Sequence, residues 1–353
     1  MRIALAIGDA GGVGPELAAK LLADDLMRDH QAVVLGDARV LRMGMEHAGV
    51  DLDLPVLSPD RLADGLPAGS VMIDLANCPP ADVTLGSSTP VAGAASLQNF
   101  AAVLRLAQAG LADAAMFTPF NKYSMRLARP GYVDEIGFID ATLGATRSGR
   151  EFNVLNEVWN ARVTSHIPLR EVASKLSVER ILASIRLTVE VMEGAGKPGP
   201  RIGVAALNPH AGDGRNFGDE DEDIIAPAVQ RAVAEGLKVT GPVPSDTVFV
   251  RATRGEFDAV LTMYHDQGQI AMKLIGFDRG VTLIAGYGFP IVTPAHGSAF
   301  DIAGQGKADP GATLAAARLG IDLAKLNPPR GEGQSLAPGW ASKQVGDKAL
   351  IAG

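Results

Sequence analysis

The sequence predicts an α/β fold in which a mainly parallel sheet is covered by helices on both faces. Short β-type runs alternate with longer helical patterns between residues 3 and 324. Such alternation is typical of βαβ units, whose strands run parallel. The chain has 353 residues, 47% of them hydrophobic and 20% charged, so it can bury a sizeable core. Together these observations favour one large or two intimate α/β domains.

The individual elements are predicted from the apolar pattern in chain order. Strands are predicted at 3–7, 32–35, 71–75, 114–117, 154–155, 162–165, 202–206, 259–263 and 283–284. Helices are predicted at about 15–23, 38–48, 92–110, 169–174, 177–194, 221–236 and 311–324. The stretch 326–347 loses this periodicity and gathers Pro, Gly, Ser and Lys, so we expect residues 326–353 to form a peripheral tail.

Composition excludes several classes of function. The net charge is −8 and no basic run is present, which argues against a nucleic-acid partner. The single cysteine, Cys78, excludes a disulfide or a cysteine-ligated zinc within one chain and fits a reducing compartment. The apolar run before Gly8 is too short for a secretory signal, and no stretch approaches the roughly 20 apolar residues of a membrane span. We therefore expect a soluble cytoplasmic protein without a membrane partner.

Three of the six histidines follow predicted strands: His166, His210 and His265. In open α/β sheets, ligands gather outside the carboxyl ends of the strands, so these side chains can converge although they lie far apart in sequence. Three imidazoles with a vacant fourth position are a recognised arrangement for a divalent metal such as zinc. The alternative is that each histidine only satisfies a loop. His30 and His47 lie in polar surroundings and are expected at the surface.

Other segments also combine small residues with polar groups. In PAHGSAFDIAGQGKADP, residues 294–310, small residues allow close backbone approach to a ligand; the alternative is a Gly-rich connection. GDAGGVGPE, residues 8–16, follows a strand and opens a helix, but it lacks the G-x-G-x-x-G spacing, so we reject a Rossmann site. Lys122 and Lys273 lie near strand ends and could bind a carboxylate or transfer a proton. The acidic run 218–223 is expected to complement a helix dipole.

Across roughly residues 2–325 the chain resembles the 4-hydroxythreonine-4-phosphate dehydrogenase (PdxA) family. The matching segments, in the family's order, are IGDAGGVGPE, TPFNK, SHIPL, LNPHAGDG, GPVPSDTVF, MYHDQG, FDRGV and HGSAFDIAG. The last also resembles the adenine-binding loop of isopropylmalate and isocitrate dehydrogenases. The resemblance implies a two-lobed, isopropylmalate dehydrogenase-like subunit and a homodimer with its active site at the interface. We expect one lobe at 1–130 plus 282–325 and a second at 131–281.

The resemblance also implies the chemistry: oxidation of the hydroxyl of a small hydroxy acid by NAD or NADP, after which the keto acid can lose carbon dioxide. A divalent metal (Zn, Mg, Co or Mn) is expected on His166, His210 and His265, with the third coming from the partner subunit. Lys273 would bind the substrate carboxylate, Asp266 would orient an imidazole, and Lys122 is a candidate base. The residues expected to bind the cofactor are His296, Gly297, Ser298, Ala299 and Asp301.

The substrate-binding positions depart from the family. Glu135 and Ile136 stand where the family has His and Thr, Thr282 replaces an Asn, and Ile291 replaces an Arg. An arginine fork is the usual means of holding a phosphate dianion. Losing these donors and gaining a carboxylate should disfavour a phosphorylated substrate, so we expect a hydroxy acid without that phosphate.

Several alternatives to this substrate and to this activity remain open at this point. Within the family they are 4-hydroxythreonine-4-phosphate itself, as in vitamin B6 synthesis, a phosphorylated sugar acid, or terephthalate cis-dihydrodiol. In another class, a metal-dependent hydrolase or lyase would use the histidines to activate water. A non-catalytic binding protein would keep only the fold.

Overall fold

The computed structural model describes residues 1–64, 66–327, 336 and 340–342. The strands in chain order are β1 (Arg2–Ala6), β2 (Gln31–Gly36), β3 (Val56–Leu57), β4 (Val71–Asp74), β5 (Ala114–Phe117), β6 (Arg150–Val154), β7 (Trp159–Arg162), β8 (Ile202–Ala205), β9 (Val239–Val243), β10 (Ala259–Thr262), β11 (Val281–Ala285) and β12 (Ile291–Pro294). The helices are α1 (Gly14–Ala23), α2 (Ala38–Ala48), α3 (Pro90–Gln108), α4 (Lys122–Ala128), α5 (Glu135–Leu143), α6 (Val172–Lys175), α7 (Val178–Gly194), α8 (Ala226–Ala234), α9 (Ser245–Thr253), α10 (His265–Gly276) and α11 (Gly311–Leu326).

The chain divides into two compact units. Unit 1 comprises residues 1–150 together with 281 onward, and unit 2 comprises residues 151–280. The first boundary lies later than the predicted one at residue 130. The reason is the packing of α5, whose Phe138 ring stacks on Phe100 of α3 with 5.3 Å between ring centroids. This contact places residues 131–150 with the first unit.

The sheet of unit 1 has the strand order β3-β4-β2-β1-β5-β12-β11, and only the β12–β11 pair is antiparallel. Successive side chains of a strand point to opposite faces. Phe117 of β5 packs on Phe100 of α3, with 4.8 Å between ring centroids. Ala114 of the same strand points the other way, towards Gly320 of α11. Helices therefore cover both faces, which confirms the predicted α/β class.

The sheet of unit 2 has the order β6-β7-β10-β8-β9. Strands β7, β10, β8 and β9 are parallel, and β6 pairs antiparallel with β7. One face is a core in which Val260 of β10 meets Phe249 of α9 and Met272 of α10. No helix in the described parts of the chain is long and apolar enough to cross a membrane.

Three strands and four helices were not predicted: β3, β9, β12, α4, α5, α9 and α10. β9 reads VTGPV, and its Gly and Pro are normally turn residues. β3 has only two residues. α10 starts at His265, so close after β10 that the two elements read as one strand and its loop.

The tail is not wholly peripheral. Trp340 and Ala341 are buried in the core of unit 1. Their backbone is tied to α3, because Arg105 Nη1 donates to Trp340 O at 2.8 Å and Gln98 Nε2 donates to Ala341 O at 3.2 Å. Apart from these residues, Leu336 and Ser342, the predicted tail beyond Asn327 lies outside the described residues.

Candidate functional site

The three strand-end histidines follow neighbouring strands of unit 2. His166 follows β7, His210 follows β8 and His265 follows β10. β10 pairs in parallel with both β7 and β8. Because parallel strands end at the same edge of a sheet, the three histidine loops leave one edge of this unit.

Two of these histidines have a strained backbone. His166 has φ 53° and His210 has φ 54°, in the left-handed region that residues with a Cβ rarely adopt. Such conformations cost about 1–3 kcal/mol each and cluster at active sites and ligand-binding sites. This strain is an observation independent of the sequence pattern, and it is consistent with both positions as candidate site residues.

Within one chain, the side chains of His166 and His265 lie together, with 5.3 Å between ring centroids. His265 Nδ1 donates to Asp266 Oδ1 at 2.7 Å, which leaves its Nε2 as the ring nitrogen that could bind a ligand. The ring of His210 instead packs on Phe217, with 6.1 Å between centroids. Among the described residues of a single chain, no three His, Cys, Asp or Glu side chains are arranged to hold a metal. One chain thus brings two of the three predicted ligands, His166 and His265, together. His265 is the histidine that the family resemblance assigns to the partner subunit.

The loop that carries His210 is fixed by a residue to which sequence reasoning gave another role. Asp221 is fully buried, and its carboxylate accepts hydrogen bonds from Leu207 N at 2.8 Å and Asn208 N at 3.0 Å. The acidic run 218–223 was expected to complement a helix dipole. Its first buried member instead anchors the backbone just before His210.

A second anchor, Gln267, joins two of the quoted motifs to the residue directly before a third. Its Oε1 accepts from Met263 N at 2.6 Å, and its Nε2 donates to Ala206 O at 2.7 Å and to Ser245 Oγ at 2.8 Å. Ser245 Oγ also donates to Ala206 O at 2.7 Å. Sequence reasoning assigned no role to Gln267 or Ser245, although both lie in matched segments, MYHDQG and GPVPSDTVF.

Helix α10 carries further candidate groups beyond His265. Lys273 is exposed and forms no hydrogen bond or ion pair with the rest of the described chain. Ile270, Leu274 and Phe277 form an exposed apolar stripe, with 63%, 82% and 60% of their surfaces accessible. A stripe of this kind is typical of an interaction surface.

The predicted cofactor segment lies in unit 1, directly after β12. Ser298 is buried; its O accepts from Val13 N at 3.0 Å and its Oγ from Asn121 Nδ2 at 3.1 Å. Ala299 has φ 40°, and His296 Nδ1 donates to Gly297 O at 3.0 Å. A Cβ on Gly297 would meet no atom within 4 Å, so its backbone is open to a ligand.

Around this segment, Asp301 is exposed in a short 3-10 turn, Phe300–Ile302. Asn121 is a residue whose role was missed: besides holding Ser298, its Oδ1 caps α4 by accepting from Tyr123 N and Ser124 N. It belongs to the quoted TPFNK segment, directly before Lys122.

The candidate base Lys122 and the proposed substrate residue Glu135 form an ion pair. Lys122 begins α4 and Glu135 begins α5, and Lys122 Nζ lies 2.8 Å from Glu135 Oε2. Lys122 therefore offsets the negative charge of Glu135, which we expected to repel a phosphate without a neighbouring positive charge. Neighbouring Ile136 packs against the core. Burial first, and then the charge of Glu135, raise the pKa of the enclosed Tyr132.

Ile291 is a core residue, which corrects the expectation that it contacts substrate. It lies in β12 opposite Ile284 of β11 and Ala115 of β5, and none of its surface is accessible. Thr282 lies in β11 opposite Thr293 and is partly exposed. The absence of an arginine does not depend on Ile291, because residues 290–296 contain neither Lys nor Arg.

The chain is similar to known proteins over most of its length. The family profile described as "Pyridoxal phosphate biosynthetic protein PdxA" matches residues 28–320. A Rhizobium meliloti protein named "Putative 4-hydroxythreonine-4-phosphate dehydrogenase 2" is 56% identical over 324 residues, covering 92% of this chain and 93% of that protein. D-threonate 4-phosphate dehydrogenase of Salmonella typhimurium is 34% identical over 324 residues, covering 91% of this chain and 98% of that one.

A solved structure supports the same relationship. The crystal structure of 4-hydroxythreonine-4-phosphate dehydrogenase from Klebsiella pneumoniae superposes with a TM-score of 0.77 at 33% identity, covering 92% of this chain and 98% of that one. The profile match spans more than half of the chain, and the relatives are aligned over nearly all of it. The chain therefore belongs to the PdxA family of pyridoxal phosphate biosynthetic proteins.

Proposed function

We propose that the chain is a metal-dependent, NAD(P)-linked dehydrogenase that oxidises the hydroxyl of a small hydroxy acid as a homodimer. The observation that carries the proposal is the set of three histidines after three adjacent parallel strands, two of them on a strained backbone. Relatives in the family are named dehydrogenases, which supports the reaction class. A β-keto product of this oxidation could lose carbon dioxide.

His166, His210 and His265 would hold the metal, with one imidazole supplied by the second subunit. Their donor set suits Zn²⁺ and related divalent ions. A bound ion would supply Lewis acidity, lowering the pKa of the substrate hydroxyl. The chain's own contribution is positional: Asp266 fixes the His265 ring so that Nε2 points away from the carboxylate, and Asp221 and Gln267 fix the backbone on which the loops depend.

The homodimer is supported by the exposed stripe on α10. Ile270, Leu274 and Phe277 lie on the helix that begins with His265 and carries Lys273. Burying this stripe against a second copy would remove apolar surface from water close to both functional residues. A site shared by two subunits also fits a single chain that assembles only two of its three proposed ligands.

The substrate and the cofactor would be held by different candidate residues of the chain. Lys273, an exposed ammonium free of protein partners among the described residues, would bind the substrate carboxylate. NAD or NADP would lie against residues 296–301, where Gly297 leaves the backbone open. Lys122 is engaged with Glu135, so in this proposal the pair orients substrate together, and Lys122 is not assigned as the base.

Our first candidate substrate is a hydroxy acid without a phosphate. It is supported by the absence of Lys and Arg from residues 290–296, where the family has an arginine. A second candidate, 4-hydroxythreonine-4-phosphate or D-threonate 4-phosphate, is supported by the names of relatives and by the Lys122–Glu135 pair, which is neutral as a whole.

A cytoplasmic location is also part of the proposal. The only cysteine, Cys78, is buried. Burial, with the charge of Asp37 as the next cause, raises the pKa of its thiol to about 11. A thiol of this kind takes no part in redox chemistry at neutral pH, which fits an enzyme of a reducing compartment.

The test is a panel of phosphorylated and unphosphorylated hydroxy acids and diols, each assayed with NAD and NADP and with several divalent ions. We expect absorbance at 340 nm to grow with at least one substrate, and to stop after chelation and resume when the ion is returned. Turnover without reduced nucleotide would favour a hydrolase or lyase. Clear preference for 4-hydroxythreonine-4-phosphate would replace the first candidate substrate by the second.

A further inference from the structure

The motif GDAGGVGPE, residues 8–16, has no role in the function proposed above, and it lacks the spacing of a dinucleotide fingerprint. In unit 1 it runs from the end of β1 into the first turn of α1. Its hydrogen-bond partners outside α1 include residues 298 and 308. The segment between them, 298–308, contains most of residues 296–301, where we propose that the dinucleotide binds.

The first contact is at Ser298. Val13 N donates to Ser298 O at 3.0 Å. Gly12 lies so close that a Cβ on it would be 2.6 Å from Ser298 O and 2.9 Å from Ser298 Cβ. Since Asn121 Nδ2 holds the Ser298 hydroxyl at 3.1 Å, both the backbone and the side chain of this residue are fixed.

The second contact is at Ala308. Glu16 is buried, and its Oε1 accepts from Ala308 N at 2.9 Å and from Lys20 Nζ at 2.7 Å. Lys20 Nζ also donates to Ala308 O at 2.7 Å and to Gly306 O at 3.0 Å. A buried carboxylate and its lysine thus hold the far end of the same segment.

Between these two ends the contact is apolar. Val13, Leu17 and Ala308 form a small buried cluster, and Ala299 and Ile302 pack against it. The turn that presents Gly12 and Val13 is itself fixed by Asp9, whose Oδ1 accepts from Gly11 N at 2.8 Å and whose O accepts from Gly12 N at 3.1 Å.

We propose that residues 8–16 form a clamp that positions the 298–308 segment for the dinucleotide, with Gly12, Val13 and Glu16 as its positioning residues. The proposal rests on the proposed dinucleotide site. The clamp keeps the segment in one conformation before the cofactor arrives, so less conformational entropy is lost on binding. In this proposal Gly12 serves close packing on the 298–308 segment rather than contact with a pyrophosphate.

The decisive variant is Gly12→Ala, because the φ of Gly12 is not in the left-handed region and the added Cβ acts by displacing Ser298 and, less strongly, the Phe300 ring at 3.3 Å, both within the 298–308 segment. We expect binding of NADH or NADPH, measured directly by fluorescence, to weaken about tenfold or more, since a shift of 1 Å in a positioned group can cost up to about 100-fold. The KM for the dinucleotide should rise with it. The KM for the hydroxy acid and the bound metal should stay unchanged.

The matched control is Gly131→Ala, also in unit 1, where a Cβ would meet no atom within 4 Å. It should bind the dinucleotide as the wild type does. If Gly12→Ala does not fold, Glu16→Gln replaces it: the amide oxygen still accepts from Ala308 N but no longer pairs with Lys20, and the expected weakening is smaller. Amide exchange at 298–308, measured without cofactor, should accelerate in Glu16→Ala.

The clamp is refuted if Gly12→Ala binds dinucleotide as tightly as the wild type, or if it weakens binding of the hydroxy acid equally. Unchanged amide exchange in Glu16→Ala would contradict it too. A wild type that binds neither NADH nor NADPH would overturn the dinucleotide site itself. That outcome is distinguishable, because accelerated exchange in Glu16→Ala would still show that residues 8–16 hold the segment.

Discussion

Two candidate sites, one in each unit, are held in different ways. In unit 1, the 298–308 segment itself accepts hydrogen bonds from Val13 and Asn121 and donates one to Glu16. In unit 2, the buried Asp221 and the partly exposed Gln267 bond to backbone atoms that precede the histidines. The proposed dinucleotide segment is therefore preformed by its own unit. The histidine loops have placed backbones, and we propose that an ion and a second subunit complete the arrangement of the imidazoles.

The largest effect should come from removing a histidine. We expect His210→Ala to abolish turnover and to lower bound metal, because two imidazoles cannot keep a catalytic ion that needs three protein ligands. His210→Gly should do the same while leaving the metal-free protein no less stable, since glycine adopts φ 54° without strain. Elemental analysis, assay and thermal unfolding measure the three quantities.

The control for this prediction is His30→Ala, at a half-buried histidine of unit 1 that belongs to neither candidate site. It should keep metal and activity. Turnover retained in His210→Ala would contradict the proposal that the three histidines hold the metal. It would also remove the contrast between the preformed segment of unit 1 and the metal-completed loops of unit 2.

A smaller effect is expected from the anchor beneath His210. Asp221→Ala removes the acceptor for Leu207 N and Asn208 N, so the loop should lose its fixed position. Metal affinity should fall about 10–100-fold, the usual consequence of losing a group that orients a ligand. Asp219→Ala, at an exposed carboxylate, is the matched control in a competition titration. Equal affinities in the two variants would show that the loop does not need its anchor.

A third prediction concerns the substrate residues of unit 1. Replacing Glu135 by His and Ile136 by Thr restores the family's donors and removes one negative charge. We expect the ratio of kcat/KM for phosphorylated over unphosphorylated substrate to rise about tenfold or more, because a hydrogen bond to a charged group contributes about 1.5–3 kcal/mol. Glu46→His, at an exposed acid of the same unit, should leave the ratio unchanged. An unchanged ratio in the double variant would mean that these positions do not select the substrate.

The sequence predicted the class of fold and the topological position of the histidines, because both follow from periodicity and from the rule that ligands meet at strand ends. It did not predict β12, which made Ile291 look like a pocket residue when it is a core residue. It also did not predict the Lys122–Glu135 pair or the bonds from Asp221 and Glu16. These are contacts between residues distant in sequence or between side chain and backbone, and no local pattern records them.

The smallest expected effect concerns Asp9, which fixes the turn of the clamp. Burial raises the pKa of its carboxyl, although the Ser124 hydroxyl and the Gly11 amide oppose the shift. A raised pKa means that the folded state binds the proton more tightly than the unfolded chain, so stability is lost as pH rises from the unfolded pKa through the folded one.

Asp9→Asn keeps an oxygen for Gly11 N but cannot ionise. Its stability relative to the wild type should therefore grow with pH, by about 1.4 kcal/mol for each unit of pKa difference. Urea unfolding of the metal-free protein between pH 4 and pH 8 measures this, with the exposed Asp29→Asn as control. Parallel pH profiles for Asp9→Asn and the wild type would mean that the buried carboxyl is already stabilised in its charged form. Burial of Asp9 would then cost the folded protein no stability as the pH rises.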